Sequence, residues 1–214
     1  MRTRPGSSAA VLFPRAESVP PMAFTLRQVG TRLGVLGLAV STLGIVVAIA
    51  LAPWFSPTAN ALSDLGEVGR ASAPAFNYGL IAGGVLGVGF AARLWVDASG
   101  TVGRAGVALL AAALASMALI GVFPIPHPNH FAVSVAFFTL FTYALFVLGS
   151  AGALAGRVRA GLGAIWLGIA HVTFWVVWTA VGTEGVAIPE TVGALTLGVW
   201  VVARTRRLLA TEGG

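Results

Sequence analysis

Six long apolar stretches constrain this chain more than any other feature. They run Leu33–Ala52, Ala75–Val96, Arg104–Phe123, His130–Gly152, Leu162–Val181 and Ile188–Ala203. About 20 helical residues cross the hydrocarbon of a bilayer, and each stretch is apolar all round, so length rather than periodicity identifies it. Prolines punctuate the pattern. Pro53 and Pro57 end the first stretch, Pro74 opens the second, and Pro124, Pro126 and Pro128 separate the third from the fourth. Pro189 falls in the first turn of the sixth, where its missing N–H is not needed. Only 9% of the 214 residues are charged, against about 25% in soluble domains. The expected fold is all-α, a polytopic bundle of six transmembrane helices over 31–205. A tail of 1–30 precedes it and a second tail of 206–214 follows. The first tail lacks the apolar core of a signal peptide and reads as disordered. Met22 would begin a chain that enters helix one directly.

Every basic residue is an arginine, and twelve of the thirteen fall at one end of the six spans. Only Arg70 lies at the other. Arginine-rich loops stay cytoplasmic, so both termini are expected in the cytoplasm and the protein in the plasma membrane. The arginines are scattered at helix ends rather than in a stripe, which argues against nucleic acid as a partner. No cysteine is present, so thiolate metal sites, disulfides and cysteine nucleophiles are excluded. Gly79, Gly83 and Gly87 recur at four-residue spacing. Small residues on one face let helix backbones approach in lipid, either within the bundle or between two copies in a homo-oligomer.

Chemistry concentrates at the end away from the arginines. Asn60, Ser63, Asp64, Glu67, Asn77, His127, His130 and Glu190 come from three loops that alternation places on one side. Each has a plain structural reading. Ser63 can cap a short interfacial helix that carries Asp64 and Glu67 on one face. Asn129 can cap a helix that His130 opens. Glu190 suits the first turn of helix six, where the dipole favours a carboxylate. Glu184 reads as solvated. The functional readings are a site for a cation or a polar ligand and, from two histidines beside carboxylates, a divalent metal. His171 stands apart, about 15 Å deep in helix five. An interhelical hydrogen bond to Ser41, Thr42, Ser116 or Thr139 would satisfy it. A proton relay is the sharper alternative. Trp166, Trp175, Trp178 and Trp200 read as belt and packing residues.

Asn60-Ala-Leu-Ser-Asp-Leu-Gly66, Ala75-Phe-Asn77, Phe123-Pro124 with His130, Ala132 and Phe137-Phe138, and Ile188-Pro-Glu190 resemble a prokaryotic integral membrane family, domain of unknown function 998. The resemblance covers roughly 30–205. It implies about six helices and no particular activity. The chain is loosely similar to the Frag/DRAM/Sfk type of six-helix proteins, some of which handle membrane lipids. Membrane hydrolases of the alkaline-ceramidase type use a serine, an aspartate and three histidines around zinc. Their paired histidines sit four apart on a helix in a seven-helix bundle, whereas His127 and His130 are three apart in a loop.

Three functions remain open on the sequence. One is a binding protein whose outward polar site takes a lipid headgroup, small solute or partner. A second is an enzyme on a lipid or lipid-linked substrate at the outer interface. The third is a small proton-coupled transporter built on His171.

Overall fold

The computed structural model describes residues 21–182 and 184–212. Expectations for residues 1–20, and so for most of the first tail, lie outside the described residues. Six helices follow one another: α1 (Pro21–Ala50), α2 (Ala73–Asp97), α3 (Gly100–Val122), α4 (His130–Leu154), α5 (Val158–Val181) and α6 (Ala187–Glu212). All six are long and apolar enough to cross a membrane. Their surfaces agree, because Leu43 and Val176 are more than 60% exposed. Apolar side chains distributed this way suit hydrocarbon rather than water. The chain is a multi-pass integral membrane protein.

The helices overrun the apolar stretches mainly at the arginine-rich end. α1 starts at Pro21, so 21–30 are helical rather than a disordered tail, and α6 continues to Glu212. Hydropathy marks only the part of a helix inside hydrocarbon, and the helix itself continues past that boundary.

Each helix packs on its chain neighbours, and α6 closes the ring against α1 and more sparingly against α5. The glycine face of α2 is spent inside the chain. A Cβ added at Gly83 would lie 2.7 Å from Ser41 Cβ and 2.9 Å from Gly37 O. At Gly79 it would meet Gly44 Cα at 2.9 Å, and at Gly87 it would meet Leu114 at 2.8 Å. Thus α1 and α2 touch backbone to backbone, which only residues without side chains permit. The three glycines are buried, so this face is covered by α1 and α3.

Candidate functional site

The α4–α5 seam changes character along its length. At the arginine-rich end it is glycine against backbone: a Cβ on Gly161 would collide with Gly149 O and come within 2.6 Å of Ala153 N. The buried residues of α5 are Gly161, Ala164, Gly168 and His171, so one face runs from small to large. Gly168 meets the Phe146 ring. Beyond it, Phe138, His171 and Trp175 form an aromatic group with ring centroids 5.7–5.9 Å apart. Small residues at one end and rings at the other splay the two helices. The result is a cleft of about 820 Å³ at the arginine-poor end.

His171 is 2% exposed and lines this cleft. Trp175 Nε1–H donates to His171 Nε2 at 3.0 Å. An indole N–H can only donate, so Nε2 must be the bare nitrogen and the proton of a neutral ring sits on Nδ1. That N–H donates to Thr142 Oγ1 at 2.9 Å, and the Thr142 hydroxyl donates to Phe138 O at 2.8 Å. Both ring nitrogens are therefore used, in the interhelical manner expected, although the partners differ. Thr142 and Trp175 replace Ser41, Thr42, Ser116 and Thr139, because α5 packs on α4 and α6 rather than on α1 or α3, and the threonine it meets on α4 lies one turn beyond Thr139. Trp175 packs on Phe138, as a packing residue should, and adds a hydrogen bond that the sequence does not reveal. Gly193 of α6 makes room, since a Cβ there would lie 2.9 Å from His171 Nε2.

The first loop is strapped across the arginine-poor end. A short 3-10 turn, Leu62–Gly66, is its centre. Ser63 does not cap it. Asp64 Oδ2 instead reaches back to accept Ala61 N–H and Asn60 Nδ2–H, both at 3.0 Å. Asn60 O in turn accepts Val186 N–H at 3.0 Å and Ala187 N–H at 2.9 Å, which pins the loop to the start of α6. Glu190 Oε2 accepts Leu62 N–H at 2.6 Å, so this carboxylate closes the strap as well as sitting in its own first turn. Asn77 Nδ2 donates to Gly66 O at 2.9 Å, while Asn77 Oδ1 is buried without a partner among the described residues. The Ser72 hydroxyl donates to Leu65 O at 2.7 Å.

Of the residues expected at an outer site, Ser63, Asp64, His130 and Glu190 line the cleft, and His171 lines it from α5. The others have local tasks. Asn60 and Asn77 hold the loop. Glu67 pairs with Arg70 at 2.7 Å on the surface, and the Arg70 guanidinium lies 4.3 Å over the Trp54 ring. His127 stacks on Phe123 and accepts Asn129 N–H through Nδ1. Asn129 makes no side-chain cap. His130 Nδ1 bonds Phe123 O at 2.8 Å. The two histidines are thus committed to separate bonds, and among the described residues no three His, Asp or Glu side chains are grouped to hold a metal ion.

One polar group escaped the sequence reading. At the arginine-rich end, Arg93 donates to Asp97 Oδ2 at 2.6 Å and to Glu212 Oε1 at 2.8 Å, with its side chain 5% exposed. The Thr31 hydroxyl also donates to Glu212 Oε1, at 2.9 Å. This ties α1, α2 and α6 together. An arginine four residues before an aspartate was the local signal, but Glu212 lies too far along the chain to be paired by pattern.

A family model described as "Protein of unknown function (DUF998)" matches residues 35–207, and the chain belongs to that family. Neither a curated protein nor a solved structure matches it, so the looser likeness to the Frag/DRAM/Sfk type gains no support.

Proposed function

We propose that this DUF998 protein sits in the plasma membrane with both termini in the cytoplasm, and that its α4–α5 cleft binds a membrane amphiphile from the outer leaflet. The observation that carries the reading is the polarity gradient of the cleft. Ser63, Asp64, His130 and Glu190 cluster at its loop end. Its remaining walls are chiefly apolar, and its rim includes Phe131, Tyr143 and Val176, exposed at membrane depth. A headgroup fits the first part and an acyl segment the second. The volume lies within the roughly 300–1,000 Å³ of small-molecule sites. The acids also indicate the kind of head. Asp64 Oδ1 and Glu190 Oε1 make no hydrogen bond among the described residues, and no arginine lines the cleft. Such a site favours a head bearing an amine over one of net negative charge. His171 serves this reading as a joint between helices rather than a proton relay, since neither of its partners, Thr142 and Trp175, gains or loses a proton near neutral pH.

The test is photo-crosslinking with diazirine analogues of phosphatidylethanolamine and phosphatidylglycerol in membranes holding the full chain. Adducts from the amine lipid should map to 134–146 and 172–176, and should fall at least several-fold in Val176→Trp, which plugs the rim, and in Asp64→Asn/Glu190→Gln. Equal labelling by both lipids, or labelling that ignores these substitutions, would sink the reading. The orientation is tested separately. Reporters fused after Gly100 and Arg159 should report cytoplasm, and one after Pro128 the outside.

A further inference from the structure

A second, smaller pocket of about 90 Å³ lies at the opposite end, where α2, α3, α4, α5 and α6 meet. Three arginines line it: Arg204 from α6, half-buried, and Arg157 and Arg207, both exposed. None of the three guanidinium groups makes an ion pair or hydrogen bond among the described residues. The one acid in the lining, Asp97, is already held by Arg93 at 2.6 Å. Arg204 therefore stands in a field where Arg157, Arg207 and Arg93 repel it and Asp97 alone attracts it. Holding like charges around a recess is unfavourable unless an anion joins them.

The backbone adds to the same field. α3 and α5 both start beside the pocket, at Ser99 and Arg157, and neither start carries a side-chain cap. Uncapped first-turn N–H groups and the positive end of the helix dipole favour an anion. The wall there is open, since a Cβ at Gly103 would meet nothing closer than Ala98 Cβ at 3.9 Å. Apolar Leu148 and Trp200 complete the lining. This combination, a basic recess between helix ends at the membrane boundary, matches the chemistry of a phosphate group.

We infer that this pocket binds the phosphate of an anionic lipid headgroup in the arginine-rich leaflet, with Arg204 gripping it from within and Arg157 and Arg207 closing over it. The site is independent of the amphiphile cleft and shares no residue with it. It rests only on the arginine-rich end lying at a membrane surface.

The experiment is thermal unfolding of the full chain in mixed micelles containing phosphatidic acid, with phosphatidylcholine micelles and inorganic phosphate as parallel arms. Phosphatidic acid should raise Tm saturably. Arg204→Gln should weaken the apparent affinity about tenfold or more, the effect of one lost charge-assisted contact. Arg157→Gln, at an exposed rim position, should weaken it too and keeps the test valid if Arg204→Gln does not fold. Arg206→Gln, exposed but outside the pocket, should leave it unchanged. A saturable shift by inorganic phosphate alone would overturn the lipid assignment. No shift, or one that Arg206→Gln weakens as much as Arg204→Gln, would overturn the site.

Discussion

The α1–α2–α6 side of the bundle and the α4–α5 side are both built of helices able to cross a membrane but are joined by opposite means. On the first, backbones touch through Gly37, Gly44, Gly79 and Gly83, and a buried arginine on α2 binds carboxylates on α2 and α6 and the Arg27 carbonyl on α1. On the second, contact is close only around Gly149 and Gly161, and further out aromatic rings and a neutral histidine keep the helices apart. Closed packing leaves no room for a ligand. Splayed packing leaves a cleft, and the polar groups it needs come from a loop strapped on from elsewhere. On this contrast the glycine and arginine contacts of the tight side hold the bundle together, and the splayed α4–α5 seam is where the large cleft opens.

That division is most exposed to attack at Arg93. Arg93→Met leaves Glu212, whose side chain is 9% exposed, without its cation, while Asp97 keeps only the exposed Arg27 at 4.0 Å. Breaking one partner of a buried pair costs about 3–5 kcal/mol. A large fall in Tm in detergent is expected, and it should shrink when Glu212→Gln is added, since the second substitution removes a stranded charge. A variant as stable as the parent would mean that the tight side is not held by this cluster. The next effect belongs to the glycine seam. Gly83→Leu must displace Ser41 and the Gly37 carbonyl, and overpacking costs about 1–3 kcal/mol. An unchanged Tm would show that α1 and α2 can separate freely, which would erase the contrast with α4–α5.

How much of this was legible follows the same line. The helices were, because length and proline suffice to mark them. The confinement of Asp64, His130 and Glu190 to one end was too, because alternation of spans fixes it. What the sequence withheld is rotation and adjacency. Helices that are apolar all round carry no stripe to say which face turns inward. Pattern alone therefore offers His171 partners on α1, on α3 and at Thr139, whereas Thr142 is the one in contact. Arg93 was likewise read only as a marker of orientation, because nothing local points to Glu212. The small-to-large run Gly161, Ala164, Gly168, His171 is the one signal of the cleft that a sequence holds.

The open side should yield less when its joint is cut. Thr142→Val removes the acceptor of His171 Nδ1–H and leaves the rest of the ring contacts in place. Interhelical hydrogen bonds in membrane bundles average about 0.6 kcal/mol and reach about 1.7. The expected loss of stability is in that range, clearly below that of Arg93→Met. A loss as large as the arginine's would make the histidine network, rather than the charge cluster, the main fastening of the molecule.

The smallest effect is the sharpest control, because it repeats the chemistry of the largest in a different setting. Glu67 and Arg70 form an ion pair at 2.7 Å, much the length of the Arg93–Asp97 pair at 2.6 Å. Their side chains are 37% and 44% exposed, against 5% for Arg93. Water screens the first pair, and removing either partner strands no buried charge. Exposed pairs contribute about 0–1 kcal/mol, and the Trp54 ring still offers Arg70 a cation–π contact of about 0.5–1 kcal/mol when the carboxylate is gone. Glu67→Gln should therefore change stability by no more than about 0.5 kcal/mol, and the residual effect should fade as salt is added. If Glu67→Gln instead costs as much as Arg93→Met, bond length rather than burial decides what an ion pair does here. The two ends of the bundle would then differ in position and not in kind.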